Sequence, residues 1–249
     1  MRWTDPKKRL SIEEDFYKLS YPKYGKCNLV SNPTRLRVDG HRHEYLFVDP
    51  PVVDVAKGAY GDLIAFDIPQ VFCISDKLKL KFEFANVSGV EYMPVTVKPK
   101  FPHPNKLQQY WQVIALGWGG RIPQPMKDCG IEELERFYET ESGERPKTIE
   151  RFRTFDGLTN KLPIFDPQQW DGSDFFHVWP ILGVTFVTKK VATLLHEANI
   201  KHFSLVPISE LRLPEINGVA CNVRVVPLDC YYPSERAKEI GDPLAFYSQ

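Results

Sequence analysis

His41 and His43 stand two residues apart with Glu44 beside them. On a strand that spacing turns both imidazoles to one side, the beginning of a metal site. A complete site needs a third or fourth ligand, and Cys27 is the nearest candidate. The set is incomplete, so a solvent-exposed hairpin is the better reading, and neither metal nor other cofactor is expected. Cys129-Gly130 precedes a run with helical periodicity, where a helix N-terminus would lower a thiol pKa. The neighbouring carboxylates oppose that, and a plain helix start is favoured. Glu132, Glu133, Glu135, Glu139, Glu141 and Glu144 could supply an acid/base pair for glycosidic chemistry. Such a run is more often the solvated face of an amphipathic helix. Gly117, Gly119 and Gly120 suggest a phosphate loop but lack the Lys-Ser/Thr that completes one, so a tight turn is expected. No G-x-S-x-G, H-E-x-x-H or Walker sequence occurs. No residue is therefore assigned a catalytic role.

The elements that would position any site are announced by a repeat. Ser75 to Val95 lies under Thr188 to Ile208 at a shift of 113 positions with no gap. Ser75 matches Thr188, Lys77 matches Lys190, and Ala85-Asn86-Val87 matches Ala198-Asn199-Ile200. Pro94-Val95 matches Pro207-Ile208. With one residue inserted, Gly61-Asp62-Leu63-Ile64 aligns with Ser173-Asp174-Phe175-Phe176. Ser75 and Thr188 are N-cap types. Val191, Leu194, Leu195 and Ala198 form a helical stripe, and Leu78, Phe82 and Ala85 form the same one. Asn86 and Asn199 suit the left-handed position that ends a helix. Alternation at Val90 and Tyr92, and at Phe203 and Leu205, predicts a half-buried strand closed by proline. Each copy should be a strand–helix–strand unit, and both should pack on a shared sheet.

The predicted class is α+β, with mixed or antiparallel sheets, short capped helices and an internal duplication. The expected organisation is one compact body over 1–249 with two related lobes. The first unit spans 59–99, an insert 100–160, and the second unit 173–209. Within this frame Ile12 to Leu19 reads as a short helix, and Asp39-Gly40 as a hairpin turn. Tyr110 to Leu116 reads as a strand, about Ile131 to Glu141 as a helix with an acidic outer face, and Ala220 to Val226 as a strand.

Composition narrows the class of partner. The 249 residues carry 32 basic and 32 acidic side chains, a formal net charge of zero. No global field favours nucleic acid or a membrane surface. The 21 prolines favour rigid loops and broken strands over a helical bundle. The five cysteines are scattered and never form C-x-x-C, which suits free thiols in the cytoplasm. The N-terminus has no apolar core of a secretory signal, and no stretch is long enough to span a bilayer.

The repeated motifs carry a resemblance. Asp174-Phe175-Phe176-His177-Val178-Trp179-Pro180, then Val187-Thr188-Lys189-Lys190-Val191, then Phe203-Ser204-Leu205-Val206-Pro207-Ile208 make one pattern. Ile74-Ser75-Asp76-Lys77-Leu78 and Gly89-Val90-Glu91-Tyr92-Met93-Pro94-Val95 repeat it. The pattern resembles the bacterial immunity-protein family numbered eleven among polymorphic-toxin immunity proteins, a myxobacterial-type family. His202 departs from it, standing where a glycine is expected. The resemblance covers roughly a third of the chain and leaves 1–58 and 100–160 unplaced. It implies a cytoplasmic protein that binds and neutralises a cognate toxin, often one delivered by contact-dependent or type VI secretion. It implies inhibition by occlusion, with no catalytic residues. The alternative is a small cytoplasmic hydrolase or transferase with a dispersed active site.

A toxin-binding surface needs aromatic or Arg anchors within a charged rim. Tyr110, Trp111, Trp118 and Arg121 lie in the insert, next to the acidic run of Glu132, Glu133, Glu135 and Glu139. These are the expected partner-binding residues, the carboxylates serving as a phosphate mimic if the toxin acts on nucleic acid or a nucleotide. Trp118, set among glycines, is expected to be the most exposed tryptophan. His196 is expected at the surface of its helix.

Overall fold

The fold was analysed in a computed structural model. The structure describes residues 14–20, 27–29, 37–38, 41–42, 52–55, 61–65, 72–99, 109–123, 127–137, 147–158, 164–200, 203–211, 221–225, 228 and 232–241. In chain order the strands begin with β1 (Phe16–Ser20), β2 (Cys27–Leu29), β3 (Arg37–Val38), β4 (His41–Arg42), β5 (Val52–Val55), β6 (Leu63–Ala65) and β7 (Phe72–Ser75). Helix α1 (Asp76–Phe84) follows, then β8 (Val90–Pro99), β9 (Tyr110–Ala115), β10 (Gly117–Arg121), β11 (Lys127–Phe137) and β12 (Lys147–Leu158). The chain continues with β13 (Phe175–Trp179), β14 (Phe186–Thr188), α2 (Lys189–Glu197), β15 (Ser204–Pro207), β16 (Cys221–Val225) and α3 (Ser234–Ile240). The class is α+β, with mixed and antiparallel sheets and short helices. Among the described residues, no helix is long and apolar enough to cross a membrane.

The duplication is visible in the hydrogen bonds. Strands β6 and β7 pair antiparallel, as do β13 and β14. Ser75 N–H donates to Asp62 O at 2.9 Å, and Thr188 N–H donates to Asp174 O at 3.0 Å. Each helix then runs nine residues and ends at an asparagine with positive φ, 50° at Asn86 and 52° at Asn199. Asn reaches this left-handed region more readily than other side chains. The two caps differ at the other end. Ser75 Oγ accepts from Leu78 N–H at 3.2 Å, as expected of an N-cap. Thr188 makes no such bond, although its hydroxyl likewise donates to a carboxylate, Asp174 Oδ1 at 2.7 Å.

The units do not share a sheet as expected. The first lies in a six-stranded sheet ordered β2-β5-β8-β9-β7-β6, the second in a five-stranded sheet ordered β10-β13-β14-β1-β15. What they share is a core. Phe82, Phe72, Ile74 and Leu78 of the first unit join Phe175, Val187, Val191 and Leu195 of the second in one buried cluster. Phe82 and Phe175 rings meet at 5.8 Å between centroids.

Each unit holds a third strand between the two that flank its helix, and the chain supplies it differently. In the first unit that strand is β9, within the segment expected to be an insert. In the second it is β1, from the other end of the chain. The registers agree: Trp111 pairs with Ile74 and Pro94, and Tyr17 pairs with Val187 and Pro207. The expected helix over Ile12 to Leu19 is therefore a strand at Phe16–Ser20. Tyr17 and Leu19 alternate into the core, 1% and 3% exposed, and two partners claim the backbone of Phe16–Ser20. Long-range pairing overrides a local helical pattern.

Two further expectations are corrected by pairing. The expected acidic helix at 131–141 is strand β11 over Lys127–Phe137, antiparallel to β12. The register sets Glu133 opposite Arg151, Glu132 opposite Phe152 and Glu135 opposite Ile149. Long-range backbone pairing again overrides the local helical pattern. The glycine-rich stretch expected to turn is strand β10, parallel to β13 with a register shift between Trp118 and Arg121. Its glycines allow close approach: a Cβ on Gly117 would fall 2.2 Å from Phe175 O, and one on Gly119 2.5 Å from Phe176 Cδ2. Strands β3 and β4 pair antiparallel with Val38 opposite His41, while Asp39 and Gly40, the expected turn, lie outside the described residues.

Candidate functional site

The described members of the expected site fall on three strands, each in a different sheet. Tyr110 is fully buried in β9, its hydroxyl donating to Gly61 O at 2.9 Å, so it is a core residue and no surface anchor. Trp111 is half-buried, and its Nε1 donates to Asp76 Oδ1 at 2.9 Å. Trp118 and Arg121 lie in β10 of the other sheet. Trp118 is half-buried rather than open, its ring edge against Tyr232 at 6.4 Å and its N–H donating to Asp171 Oδ2. Glu132, Glu133 and Glu135 are on β11, and Glu139 lies outside the described residues. Of the histidine pair, His41 is in β4, while Cys27 is in β2 of a different sheet and His43 and Glu44 lie outside the described residues. Among the described residues no three His, Cys, Asp or Glu side chains gather as metal ligands.

The surface feature that does stand out is one face of α1. Leu78 and Phe82 turn into the core, 2% and 0% exposed. Lys79 lies over the Trp111 ring at 4.6 Å and the Tyr92 ring at 5.4 Å, and its ammonium pairs with Glu83 at 2.6 Å. Burial, and secondarily the nearby Glu83 charge, raise the Tyr92 phenol above its ordinary pKa. Beyond this braced layer, Lys77, Leu80 and Phe84 follow at i, i+3 and i+7 and point outward together. Leu80 is 48% exposed and Phe84 88%.

The second unit supplies an internal control. At the repeat shift, Leu80 and Phe84 correspond to Thr193 and Glu197 on the matching face of α2. Thr193 donates its hydroxyl to Lys189 O, and Glu197 pairs with Lys81 at 3.0 Å. The same backbone is therefore built with a polar face in one copy and an apolar face in the other. The fold does not require Leu80 and Phe84 to be apolar. The helical stripe predicted from spacing points to the core and overlooks this opposite face. Setting the two copies side by side, position by position, exposes it.

A second asymmetry lies at the helix N-termini. In the second unit Asp174 is gripped on all sides. Oδ1 accepts from Thr188, and Oδ2 accepts from Lys190 Nζ at 2.8 Å and from Ser88 N–H at 2.9 Å. Ser88 Oγ is 3.2 Å from the same oxygen, and Lys190 also donates to Asn86 O at 2.7 Å. Burial would raise the Asp174 pKa, but the Lys190, Thr188 and Ser88 hydrogen bonds outweigh it and hold the carboxyl below its ordinary value. Asn86 and Ser88 belong to the turn after α1, so the first unit's turn plugs the second unit's corner. The matching corner of the first unit is Asp62, Ser75 and Lys77. Ser75 Oγ donates to Asp62 Oδ1 at 2.7 Å, just as Thr188 does to Asp174. Lys77 stands 3.7 Å from Asp62 Oδ2 with its side chain 82% exposed, and among the described residues no turn fills this corner.

His177 presents a buried titratable group outside both corners. Burial pushes its pKa down to about 4, with the Val184 carbonyl pulling the other way. Since a carbonyl can only accept, Nδ1 carries the proton it donates at 3.0 Å. Its ring meets Tyr232 edge-on at 5.7 Å, beneath the segment that leads into α3. His196, by contrast, is exposed on α2 as expected.

Compared with known proteins, the chain matches no family model, and no curated protein shows a significant match to it.

Proposed function

We propose that this chain is a cytoplasmic immunity protein that occludes a cognate toxin, and that the toxin docks on the outward face of α1. The observation that carries the docking face is the pair Leu80 and Phe84, apolar and exposed where the duplicated helix carries Thr193 and Glu197. Exposed aromatics on a rigid helix make good interface anchors, because little side-chain entropy is lost on binding. The braced layer beneath, with Lys79 held between Trp111 and Tyr92, keeps that helix face fixed. The motif resemblance supplies the toxin as partner.

The test is protection of cells expressing the toxin encoded beside this gene. The double variant Leu80→Lys with Phe84→Asp should melt like the parent, since both side chains face water, and should no longer protect. Loss of a central anchor costs about 2 kcal/mol or more, roughly 30-fold in affinity. Full protection by the double variant would remove α1 from the interface. Loss of protection on reversing Glu132, Glu133 and Glu135 to Lys instead would move the interface to β11.

A further inference from the structure

We propose that the Asp62–Ser75–Lys77 corner of the first unit is a docking site for a polypeptide turn of a partner protein. That turn offers a backbone N–H and a hydroxyl to Asp62 and a backbone carbonyl to Lys77. The template is inside the molecule. The equivalent corner, Asp174, Thr188 and Lys190, holds such a turn, with Ser88 N–H and Oγ on the carboxylate and Asn86 O on the ammonium. Both corners share the backbone bond into the helix and the hydroxyl-to-carboxylate bond. They differ in occupancy. Lys190 is drawn in to 2.8 Å from its carboxylate, whereas Lys77 stands off at 3.7 Å and reaches into solvent.

The chemistry selects a neutral turn over an ion. The corner presents one anion and one cation side by side, so a free anion or cation would satisfy one and repel the other. A turn delivers donors and an acceptor together and leaves neither charge unmatched. A second copy of this chain is not the occupant. Its corresponding turn carries Lys201 and His202 where the first unit has Ser88 and Gly89. Lysine lacks the hydroxyl. At Gly89 even a Cβ would sit 2.5 Å from Phe175 O, the carbonyl that aligns with Leu63 O at the free corner. The sequence thus blocks open-ended head-to-tail stacking, which a duplicated unit with a free site would otherwise invite. Lys77 lies on the α1 face that carries Leu80 and Phe84, so the corner extends that strip toward the helix N-terminus.

The proposal rests on the protein-binding reading for its purpose, but its test needs no partner, so the two can fail separately. The probe is a head-to-tail cyclised peptide containing Ala-Asn-Val-Ser-Gly, the sequence of residues 85–89. It is titrated into isotope-labelled full-length protein and followed by amide chemical shifts. Saturable shifts are expected at Asp62, Ser75 and Lys77, weakened several-fold when the peptide serine is replaced by alanine. Lys77→Met and Asp62→Asn should each abolish them. Asp62 also accepts from Ser75, so its variant could unfold. Lys77→Met removes only an exposed side chain and carries the test in that event. Absence of saturable shifts at this corner, or shifts unchanged in Lys77→Met, would overturn the proposal.

Discussion

Lys190 Nζ sits 2.8 Å from Asp174 Oδ2, and the two close around a turn contributed by the other unit. This pair is the joint of the molecule. Asp174 N–H and Phe175 N–H both donate to Ser88 O, at 3.1 and 3.2 Å, so backbone and side chains bind the same turn. Asp174 is only 7% exposed. A carboxylate that far from water is stable only while its donors are in place.

Removing that charge should loosen the joint. Asp174→Asn is expected to cost about 1–3 kcal/mol at neutral pH, the range for a buried charge-assisted hydrogen bond. The folded-state pKa is depressed, so this stabilisation is present above the ordinary aspartate value and is lost as pH falls through the folded value. Thermal melts of parent and variant should therefore differ at pH 7 and draw together at the acidic end. A gap that persists unchanged below pH 3 would show that the carboxylate charge is not what holds the turn.

His177 should dominate a different window. Its folded pKa of about 4 lies below the ordinary imidazole value near 6.5. Between those values the unfolded chain binds a proton that the folded one refuses, so stability falls as pH drops from about 6.5 to about 4. The expected loss is roughly 2–4 kcal/mol. His177→Gln should be flat across this window while keeping the Asp174 response below it. A parent protein equally stable at pH 4.5 and 7 would contradict the assignment.

Parts of this architecture are legible in the residues and parts are not. Asn86 and Asn199 announce helix ends because few side chains tolerate φ near +50°, a local requirement that sequence records directly. The stripes through Phe82 and Leu195 are legible for a similar reason, since 3.6-residue spacing fixes which side is buried. Strand β11 is not legible. Ile131, Leu134 and Phe137 recur at helical spacing, and only the pairing with β12 decides the outcome. The glycines of β10 mark a close approach to Phe175 and Phe176 rather than a turn, and sequence alone does not say what approaches. The Asp62 and Asp174 corners carry matching carboxylate, hydroxyl and lysine positions, and which of them a loop reaches is information held in the tertiary structure.

The joint also makes a steric demand. Gly89 has φ of +70°, and a Cβ there would fall 2.4 Å from Ser173 Cβ. Gly89→Ala is expected to cost about 1–3 kcal/mol for the backbone conformation, and a similar amount again for the overlap. The second part arises only while the units are docked. Hydrogen exchange should therefore quicken at Ser88, Asp174 and Phe175 before it quickens inside β7 or β14. Uniform quickening everywhere would mean that the substitution lowers global stability without opening the joint first.

The second unit is completed from the far end of the chain, and that dependence is testable. Strand β1 lies between β14 and β15, with Lys18 opposite Phe186 on one side and Val206 on the other. Both edges of β1 are thus committed, and a proline at its centre would break the ladder with no solvent-facing side to retreat to. Lys18→Pro is expected to cost about 3 kcal/mol or more. Lys18→Thr keeps the backbone donor and suits a strand, so it should cost far less. The first unit takes its middle strand from β9, which follows β8 closely in sequence, and closes without β1. Pairing β1 with β14 must instead bring Phe16 to Thr188, a long loop closure that slows folding. In Lys18→Pro the amides of β14 and α2 should lose protection from exchange while those of β7 and β9 keep more of theirs. Equal loss in both units would show that the shared core of Phe82 and Phe175 couples them more tightly than their separate sheets divide them. A Lys18→Pro protein as stable as Lys18→Thr would remove β1 from the centre of that sheet.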